Sequence, residues 1–243
     1  MRSPTRFPLN EVVVVIAPDF ALLAADGLWS TVRKRIAGNE PPRFAGRTAW
    51  RGLIAAREVA PEFREPLIHL WLGRDAHLVH YPVKAGRAIN VVVITTDSWN
   101  AAGWSEPASR TDLIPRLAAE AWAPAARALV GLPEAWLKWA LYDRRPLTRW
   151  SSGPVGLLGD AAHPMLPFLA QGAAMAIEDA AVLARCLNGT GSAEVAAALA
   201  RYDRTRRERT DRMQLGSRMD TSDTWKARDW VYGYDAYTAP LLD

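Results

Sequence analysis

The sequence predicts an α/β protein that also contains α+β elements, and three features of its 243 residues indicate this class. A short apolar run, Val155 to Leu158, leads through a loop into a helix opened by Gly172, which is typical of an open α/β sheet. The middle of the chain, 48–95, shows strands separated by tight turns, the pattern of an antiparallel sheet. A long helix is predicted near the end, from Ala193 to about Met219.

Composition narrows the class of protein. Hydrophobic residues make up 49% of the chain and charged residues 23%, as in ordinary globular proteins, and the net charge of +4 favours an anionic ligand only weakly. The single cysteine, Cys186, cannot form an intrachain disulfide, which fits a reducing cytosol, so we expect a cytoplasmic protein. The apolar run Val12 to Ala17 is far shorter than the ~20 residues of a membrane span and is too short for a secretion signal.

The N-terminal segment is predicted to contain two strands and a helix. Glu11–Ile16 is a β-branched run that predicts a buried strand, and Phe20–Ala24 is a second short apolar run. Asp26-Gly27 predicts a turn. Ser30 is then placed to cap a helix over Thr31–Ile36.

The middle of the chain alternates strands and turns before it becomes helical. The predicted strands are Thr48–Ala55, Leu67–Leu72, His77–Val83 and Ala88–Thr95. Hairpin turns are predicted at Gly73-Arg74-Asp75 and at Lys84–Arg87. Residues 109–139 are predicted to be helical, with breaks at Pro124 and Pro133. We therefore divide the chain into an outer domain, 1–45 with 151–243, and an inserted domain, 46–150.

Strand alternation separates two histidines that are spaced as an HxxH. His77 and Tyr81 are predicted to share one face of their strand, and His80 to lie on the other. The two histidines should therefore not share a metal. Paired cysteines and co-facial histidines are lacking as well, so a zinc site is not predicted.

The last part of the chain is rich in charge and then in aromatic residues. In the long helix, arginines from 201 to 212 alternate with Asp203, Glu208 and Asp211, which predicts a solvated face. These acids cancel much of the positive field, so no nucleic-acid partner is expected. The tail, Trp225–Asp243, is aromatic enough that we expect it to dock onto the protein.

The stretch from Gly153 to Ala180 carries the chemistry. Gly159-Asp160 places a carboxylate after a strand, a loop containing Pro164 and Pro167 follows, and Gln171-Gly172 opens a helix. The helix face expected to pack tightly consists of Ala173, Ala176, Ile177, Ala180, Leu183 and Ala184. A carboxylate that faces a helix N-terminus is the layout of a cofactor crevice in an α/β sheet. The alternative is a strand–loop–helix that merely packs, with Asp160 as a turn cap.

This stretch resembles the second flavin-contacting motif of the FAD-dependent aromatic-ring monooxygenases, the salicylate and hydroxybenzoate hydroxylase type. The pattern GDAAHP-x-x-P-x-x-x-QG-x-x-x-A-I/L-EDA is matched at nearly every position. A second segment, ADGLWSTVR, is similar to the GADG-x-x-S-x-x-R segment of the same family, with Ala24 at the place of the leading glycine. Alone, this Asp-Gly would more often be a surface turn.

The resemblance implies a fold, cofactors and a reaction. The fold would be a partial FAD-binding Rossmann-like domain with an inserted antiparallel-sheet substrate domain, whose sheet roofs the flavin, and a C-terminal helix. NADH or NADPH would reduce FAD, and an oxygen atom from O₂ would pass to a small phenolic or aromatic acid, with the cofactor supplying the difficult chemistry. The sequence predicts no membrane partner and no particular oligomeric state.

The resemblance also implies the site residues. The cofactor-binding set would be Asp26, Gly27, Arg33, Gly159, Asp160, Pro164, Pro167, Gln171, Gly172 and Ala173. Asp160 would accept hydrogen bonds from ribityl hydroxyls, and the amides near Gly172 would meet the pyrimidine edge of the flavin, where reduced flavin is negative. The candidate catalytic residues are His77, Tyr81 and Gln171, with His77 as the base and Gln171 orienting the substrate.

One expected part of the family pattern does not occur. The 243 residues contain no G-x-G-x-x-G, the segment that holds the pyrophosphate. We expect a fragment of a longer enzyme, a misassigned start or a degraded gene, and weak FAD binding by 1–243 alone. The second hypothesis is a catalytically silent scaffold or interaction remnant that does not retain flavin. A serine hydrolase is not supported, because G-x-S-x-G is also missing.

Overall fold

The computed structural model describes residues 13–16, 21–73, 75–101, 103, 105–117, 122–218 and 228–243. The chain forms two compact units, Met1–Arg43 with Tyr142–Asp243 (unit 1) and Phe44–Leu141 (unit 2). The assignment of the sequence-derived segments 1–45 with 151–243 to the cofactor and 46–150 to the substrate stays a prediction. No helix within the described ranges is long and apolar enough to span a bilayer.

The elements follow one another along the chain with short connections. The strands are β1 (Val13–Ile16), β2 (Ala21–Ala24), β3 (Arg43–Ala55), β4 (His69–Leu72), β5 (Ala76–Val83), β6 (Ala88–Thr96), β7 (Glu106–Ala108), β8 (Trp136–Asp143), β9 (Ser151–Ser152) and β10 (Val155–Leu157). The α-helices are α1 (Thr31–Ala37), α2 (Arg110–Leu113), α3 (Pro124–Gly131), α4 (Gly172–Leu187), α5 (Val195–Gly216) and α6 (Arg228–Tyr232). The outer residues of two predicted strands, 11–12 and Phe20, lie outside the described residues, as does Arg74 of the first predicted turn.

Unit 1 contains a four-stranded sheet in the order β1-β2-β10-β9. Strand β2 pairs with β10 in parallel, whereas β1 with β2 and β10 with β9 are antiparallel. The expectation of a parallel sheet at this end is therefore met by one strand pair only. A glycine in β10 lets helix α5 lie close to the sheet, because a Cβ at Gly156 would be 3.2 Å from Leu199 Cδ2.

Helix α4 begins at Gly172 as predicted, but the face predicted to pack is wrong. The exposed residues of that face are Ala173, Ile177, Ala180 and Ala184, and Ile177 is 69% exposed. The buried face consists of Met175, Asp179, Val182, Leu183 and Cys186. The reason is that Asp179, which looks polar in the sequence, finds charged partners inside unit 1, and its burial fixes the rotation of the helix.

The prediction that the charged stretch of α5 has a solvated face is confirmed for Arg204, Glu208 and Arg212, which are exposed, but is wrong for three other charged residues. Asp203, Arg206 and Arg209 are buried, in line with the buried Leu199 and Tyr202 of the preceding turns. Arg206 and Arg209 both form ion pairs with Glu178 of α4 at 2.8 Å, which compensates for their burial. The helix begins two residues after the predicted start, and its predicted end at Met219 lies outside the described residues.

The aromatic tail docks onto α5, as expected. The guanidinium carbon of Arg209 lies 4.2 Å from the ring centre of Tyr234, and that of Arg212 lies 3.9 Å from the ring centre of Trp230. Both are cation–π contacts, in which the ring covers the flat guanidinium. The start of the tail, 225–227, lies outside the described residues.

Unit 2 contains a six-stranded sheet in the order β4-β5-β6-β3-β8-β7. The two predicted hairpins are confirmed, since β4 with β5 and β5 with β6 pair antiparallel. One face of the sheet packs into a core that includes Trp50, Leu78, Val91 and Leu129. The antiparallel sheet of the middle segment is thus as predicted.

The prediction of helix over 109–139 is confirmed for Arg110–Leu113 and Pro124–Gly131 but is wrong at the end of the segment, which forms a strand. Helix α2 is only four residues long and continues as a 3-10 turn over Ile114–Arg116, which contains Pro115. Residues 118–121 lie outside the described residues, and α3 spans eight. From Trp136 the chain is strand β8, in which Trp136 is buried and Leu137 is 47% exposed. Ala140 and Leu141 are both buried, so the strand has no regular period of two that could have been recognised in the sequence.

Candidate functional site

Both motifs of unit 1 follow the carboxyl ends of neighbouring parallel strands. Strand β2 ends at Ala24, shortly before Asp26-Gly27, and β10 ends at Leu157, shortly before Gly159-Asp160. The N–H of Leu158 donates to the carbonyl of Ala24 at 2.9 Å, so the two motifs start from the same point of the sheet. Ligands of open α/β sheets bind at such carboxyl edges.

Asp26 organises the start of helix α1. Its Oδ2 accepts hydrogen bonds from the N–H groups of Thr31 at 2.9 Å and Val32 at 3.3 Å. Its Oδ1 is buried and has no hydrogen-bond partner among the described residues. The predicted cap is confirmed, because Ser30 Oγ accepts from the N–H of Arg33 at 2.9 Å. Gly27 has a φ of 73°, which explains glycine in this turn.

Arg33 connects the first motif to the second. It is 4% exposed, and its Nη1 donates to the carbonyls of Ala161 at 3.1 Å and Ala162 at 2.6 Å, while Nη2 donates to that of Arg145 at 3.3 Å. Burial, and then the charge of Arg144, lower the pKa of Arg33 to about 10, which still leaves it charged at neutral pH. Arg33 therefore stabilises the backbone of the second motif through hydrogen bonds to its carbonyl groups.

The second motif packs directly on helix α4. Gly159 has a φ of 58°, and a Cβ there would lie 3.2 Å from the Cβ of Ala176. The N–H of Gly159 donates to Asp179 Oδ2 at 3.1 Å. The turn that bears Asp160 is thus held against the second turn of α4, and the prediction that Asp160 faces the start of this helix stays a prediction.

The first-turn N–H groups of α4 lack an acceptor within the helix, as at any helix N-terminus. The N–H of Met175 donates to the carbonyl of Gln171 at 2.9 Å, and the amides of the first turn that precede it have no acceptor one turn back. A Cβ at Gly172 would make an ordinary van der Waals contact, 3.7 Å from Met165 Cγ. Gln171 is 8% exposed, and Ala173 is exposed.

The loop between the two halves is shaped by its prolines. Pro164 is buried, and its carbonyl accepts from Gln214 Nε2 at 2.8 Å. Pro167 is exposed and begins a 3-10 turn that ends at Ala170, which has a φ of 52°. The chain is therefore fixed at both prolines before it enters α4.

Asp160 supplies a carboxylate on the turn that follows β10. It is exposed, yet the protein around it raises the pKa of its carboxyl by desolvation, and the charge of His163 opposes that rise. Acceptor oxygens and backbone N–H groups at one end of a sheet suit a ligand that carries hydroxyls and an electron-rich ring edge.

Sequence reasoning missed the group that holds this arrangement together. His163, Asp179 and Arg206 are all buried, with Asp179 Oδ2 2.5 Å from His163 Nε2 and Asp179 Oδ1 2.8 Å from Arg206 Nε. His163 and Asp179 belong to the motif itself, so their fixed spacing was the available signal. Arg206 could have been found from its position one turn after the buried Tyr202.

The predicted substrate-side residues lie in unit 2 on strand β5. His77 and Tyr81 are half-buried on one face, while His80 is fully buried on the other, where Trp71 Nε1 donates to its Nδ1 at 3.1 Å. The rings of His69 and His80 stack with centres 4.5 Å apart. His77 and His80 therefore point to opposite faces, as predicted.

A family model described as an FAD binding domain matches residues 11–215 of the chain. The chain is 40% identical over 214 residues to 3-hydroxybenzoate 6-hydroxylase 1 of Aquipseudomonas alcaligenes, covering 87% of this chain and 51% of the relative. It is 36% identical over 228 residues to 6-hydroxynicotinate 3-monooxygenase of Bordetella bronchiseptica, covering 91% and 58%.

Solved structures show the same likeness. A salicylate hydroxylase in complex with its substrate matches with a TM-score of 0.76 and 30% identity, over 90% of this chain and 62% of that one. Klebsiella pneumoniae HpxO, solved with FAD and uric acid, matches with a TM-score of 0.69 and 29% identity, over 88% and 55%. The chain thus spans between half and two thirds of the length of these relatives.

Proposed function

The chain belongs to the FAD binding domain family, and on this premise we propose that it serves an FAD-dependent monooxygenase that hydroxylates a phenolic or aromatic acid with NAD(P)H and O₂. Unit 1 would hold the cofactor and unit 2 the aromatic acid. The relatives are longer than this chain, so the proposal concerns what these two units contribute to the reaction.

The residues of unit 1 fit the flavin end of FAD. The single observation that supports the proposal is the packing of the Gly159 turn on α4, which joins the loop that bears Asp160 to the helix that begins at Gly172. The backbone at Gly172 carries no side chain, so a flat ring would come closer to its amide than at any other residue type. FAD, when bound and reduced by NAD(P)H, would supply the electrons that activate O₂, and the transferred oxygen atom would come from O₂.

Each group has a distinct task in holding the cofactor. Asp160 would accept hydrogen bonds from ribityl hydroxyls, and the amides at Gly172 and Ala173 would donate to the ring edge that becomes negative on reduction. Asp26 and Gly27 would line the neighbouring turn, with Asp26 Oδ1 as a buried acceptor in need of a donor. Arg33 and Pro164 would act through the loop backbone, which they fix. Pro167 would limit the freedom of the same loop.

His77, Tyr81 and Gln171 are proposed to act on the substrate. A phenol is a better oxygen acceptor as the phenolate, so a base that takes the hydroxyl proton helps, and an imidazole is suited to that task near neutral pH. His77→Asn should therefore shift the pH dependence of hydroxylation towards higher pH, while Tyr81→Phe and Gln171→Ala should mainly raise KM. An unchanged pH profile in His77→Asn would remove His77 from this role.

The test of cofactor binding uses the purified chain. It is mixed with FAD, desalted, and examined for retained flavin absorbance in the visible range; the affinity is then measured by titration. Asp160→Asn should weaken FAD binding at least tenfold without a change in melting temperature, because Asp160 is exposed. Asp75→Asn, at an exposed turn of unit 2, is the matched control and should bind like the wild type. Equal FAD affinity in Asp160→Asn would overturn the assignment.

One observation favours a second candidate, a scaffold that holds no flavin. The 243 residues contain no G-x-G-x-x-G, so the usual pyrophosphate-binding loop is not among them. This candidate predicts that the desalted chain is colourless at any FAD concentration used. The same experiment therefore separates the two.

A further inference from the structure

Strand β4 lies at one edge of the sheet of unit 2 and pairs on one side only, with β5. The N–H of Gly73 donates to the carbonyl of Ala76 at 2.9 Å, so the backbone at this end of β4 points towards β5. Because backbone groups alternate in direction along an antiparallel strand, those of Trp71 also point towards β5, and those of Leu70 and Leu72 point away from it. Within the described part of the chain, no backbone group is bonded to this outer side of Leu70 and Leu72.

The same stretch presents an exposed apolar surface. On the core side of the strand, the ring of His69 stacks on that of His80 with centres 4.5 Å apart, which fixes the position of β4. The apolar side chains that remain accessible are between 40% and 75% exposed, and they are Leu67, Ile68, Leu70 and Leu72. Apolar side chains exposed together in this way mark interaction sites.

Strand β4 lacks the features that keep exposed edges apart in other proteins. Natural edge strands commonly carry a charged residue, above all lysine, or a proline, either of which discourages pairing with another chain. Strand β4 contains neither, and the whole run 66–72 contains no lysine, arginine, aspartate or glutamate. A second strand can therefore pair here without removing a charge from water.

The pattern of this run matches itself when it is reversed. Apolar residues at 68, 70 and 72 alternate with the aromatic rings of His69 and Trp71, so the run reads nearly the same from both ends. In an antiparallel pair with a two-fold axis at Leu70, Ile68 of one copy lies opposite Leu72 of the other. A two-fold interface requires such a self-complementary surface, so the pattern favours a second copy of the same strand as the partner.

The charges on either side of the run also match in this arrangement. Arg64-Glu65 precedes the run and Arg74-Asp75 follows it in the sequence, with Arg74 outside the described residues. Antiparallel pairing brings the start of one run beside the end of the other. Each end of the pair then holds two arginines and two acidic residues, whose charges cancel.

We propose that two copies of the chain associate through β4, as an antiparallel pair that joins their two sheets into one continuous sheet. Hydrogen bonds between strands lie in the plane of a sheet, so the face that carries His77 and Tyr81 stays open in the dimer. The paired edge is short, so the dimer should be weak and its population should depend on concentration. This association goes beyond the proposed function and does not depend on FAD.

The first test measures association of the purified chain by analytical ultracentrifugation over a range of concentrations. The wild type should pass from monomer to dimer as the concentration rises. The double variant Ile68→Lys with Leu72→Lys changes two exposed side chains and sets like charges opposite each other across the axis, so it should weaken dimerisation at least tenfold. Leu137→Lys replaces an equally accessible leucine on β8 of the same sheet, away from the edge, and should leave dimerisation unchanged.

The second test locates the contact by amide hydrogen exchange. The N–H groups of Leu70 and Leu72 should exchange slowly at high protein concentration and rapidly at low concentration, because only the second copy bonds them. The N–H of Trp71 points towards β5 and should exchange slowly at both concentrations. Should the double lysine variant fail to fold, Leu72→Pro removes an outward N–H that a folded edge strand can spare, and it should weaken dimerisation as well.

Four outcomes would overturn the proposal. These are a wild type that stays monomeric up to its limit of solubility, undiminished dimerisation in the double lysine variant, an equal loss in Leu137→Lys, and slow exchange at Leu70 and Leu72 at every concentration. The last outcome would mean that the chain covers its own edge. Flavin retention, measured on the same samples by visible absorbance, tests the proposed function separately and should not differ between the wild type and the double lysine variant.

Discussion

Asp179 Oδ2 lies 2.5 Å from Nε2 of His163, and this contact joins helix α4 to the end of the Gly159–His163 turn. The same oxygen accepts from the N–H of Gly159, so one carboxylate holds both ends of the turn. Burial alone would raise the pKa of Asp179, but the charge and hydrogen bond of His163, and then those of Arg206, hold it below its usual range. Asp179 is therefore ionised, and the geometry of the proposed cofactor site depends on it.

Asp179→Ala should be strongly destabilising, because it leaves His163 and the buried Arg206 without their shared partner. Breaking a buried ion pair on one side costs about 3–5 kcal/mol. Urea denaturation followed by circular dichroism measures the free energy of unfolding. Asp75→Ala, at an exposed turn, is the control and should change that free energy by less than about 0.5 kcal/mol. A loss below about 1 kcal/mol in Asp179→Ala would contradict this account of the network.

Two glycines of the same site should respond differently to the same substitution. Gly159→Ala puts a side chain at a φ of 58° and 3.2 Å from Ala176 Cβ, so it should lower the free energy of unfolding by about 1–2 kcal/mol. Gly172→Ala meets no close atom and lies in a helix, so the fold should be unaffected or slightly more stable. Only FAD binding should weaken in Gly172→Ala. Thermal melts and flavin titrations of both variants check this, and a destabilised Gly172→Ala would refute it.

The sequence predicted this site better than the rest of unit 1 because turns and caps are local. Asp26-Gly27, the Ser30 cap and the Gly172 helix start depend on neighbours within a few residues, and all lie where predicted. The buried face of α4 depends instead on Arg206, which is 27 residues away from Asp179, and no local pattern reveals that pairing. Charged residues such as Asp179 and Arg206 were therefore expected to be exposed to solvent, although both are buried.

In unit 2 the strands joined by hairpins were predictable, whereas strand β8 was not. Each predicted hairpin carries its own turn residues, and pairing follows from the turn. Strand β8 joins the sheet beside β3, which precedes it by about 80 residues, so its partner gave no nearby signal. Its tryptophans fit a helix face as well as a strand face when they are read without that partner.

Arg33→Lys should destabilise unit 1 although it preserves the charge. The guanidinium donates to three carbonyls on two segments, and a single ammonium cannot reach all of them from one point. Two buried carbonyls left without donors should cost about 2–4 kcal/mol in total. The melting temperature measures this loss. Lys34→Arg, at the next position of α1, exchanges the same two residue types at an exposed site and is the control. Its melting temperature should equal that of the wild type.

The stability of unit 2 should fall in mild acid because of His80. Burial, and then the charge of His69, lower the pKa of His80 to about 4, against about 6.5 for an unfolded histidine. Between these values the unfolded chain binds a proton that the folded chain does not, so the free energy of unfolding should decrease as the pH falls from about 6.5 to about 4, by at most about 1.4 kcal/mol per pH unit. Above pH 7 His80 is neutral in both states and contributes no slope. His80→Gln keeps an acceptor for Trp71 Nε1 and removes the titrating group. The difference in unfolding free energy between this variant and the wild type should therefore change steadily from about pH 6.5 to about pH 4. The same difference should stay constant from pH 7 to 8. If the unfolding free energies of the wild type and His80→Gln change in parallel between pH 6.5 and pH 4, His80 binds its proton equally well in the folded and unfolded chains, which contradicts the prediction.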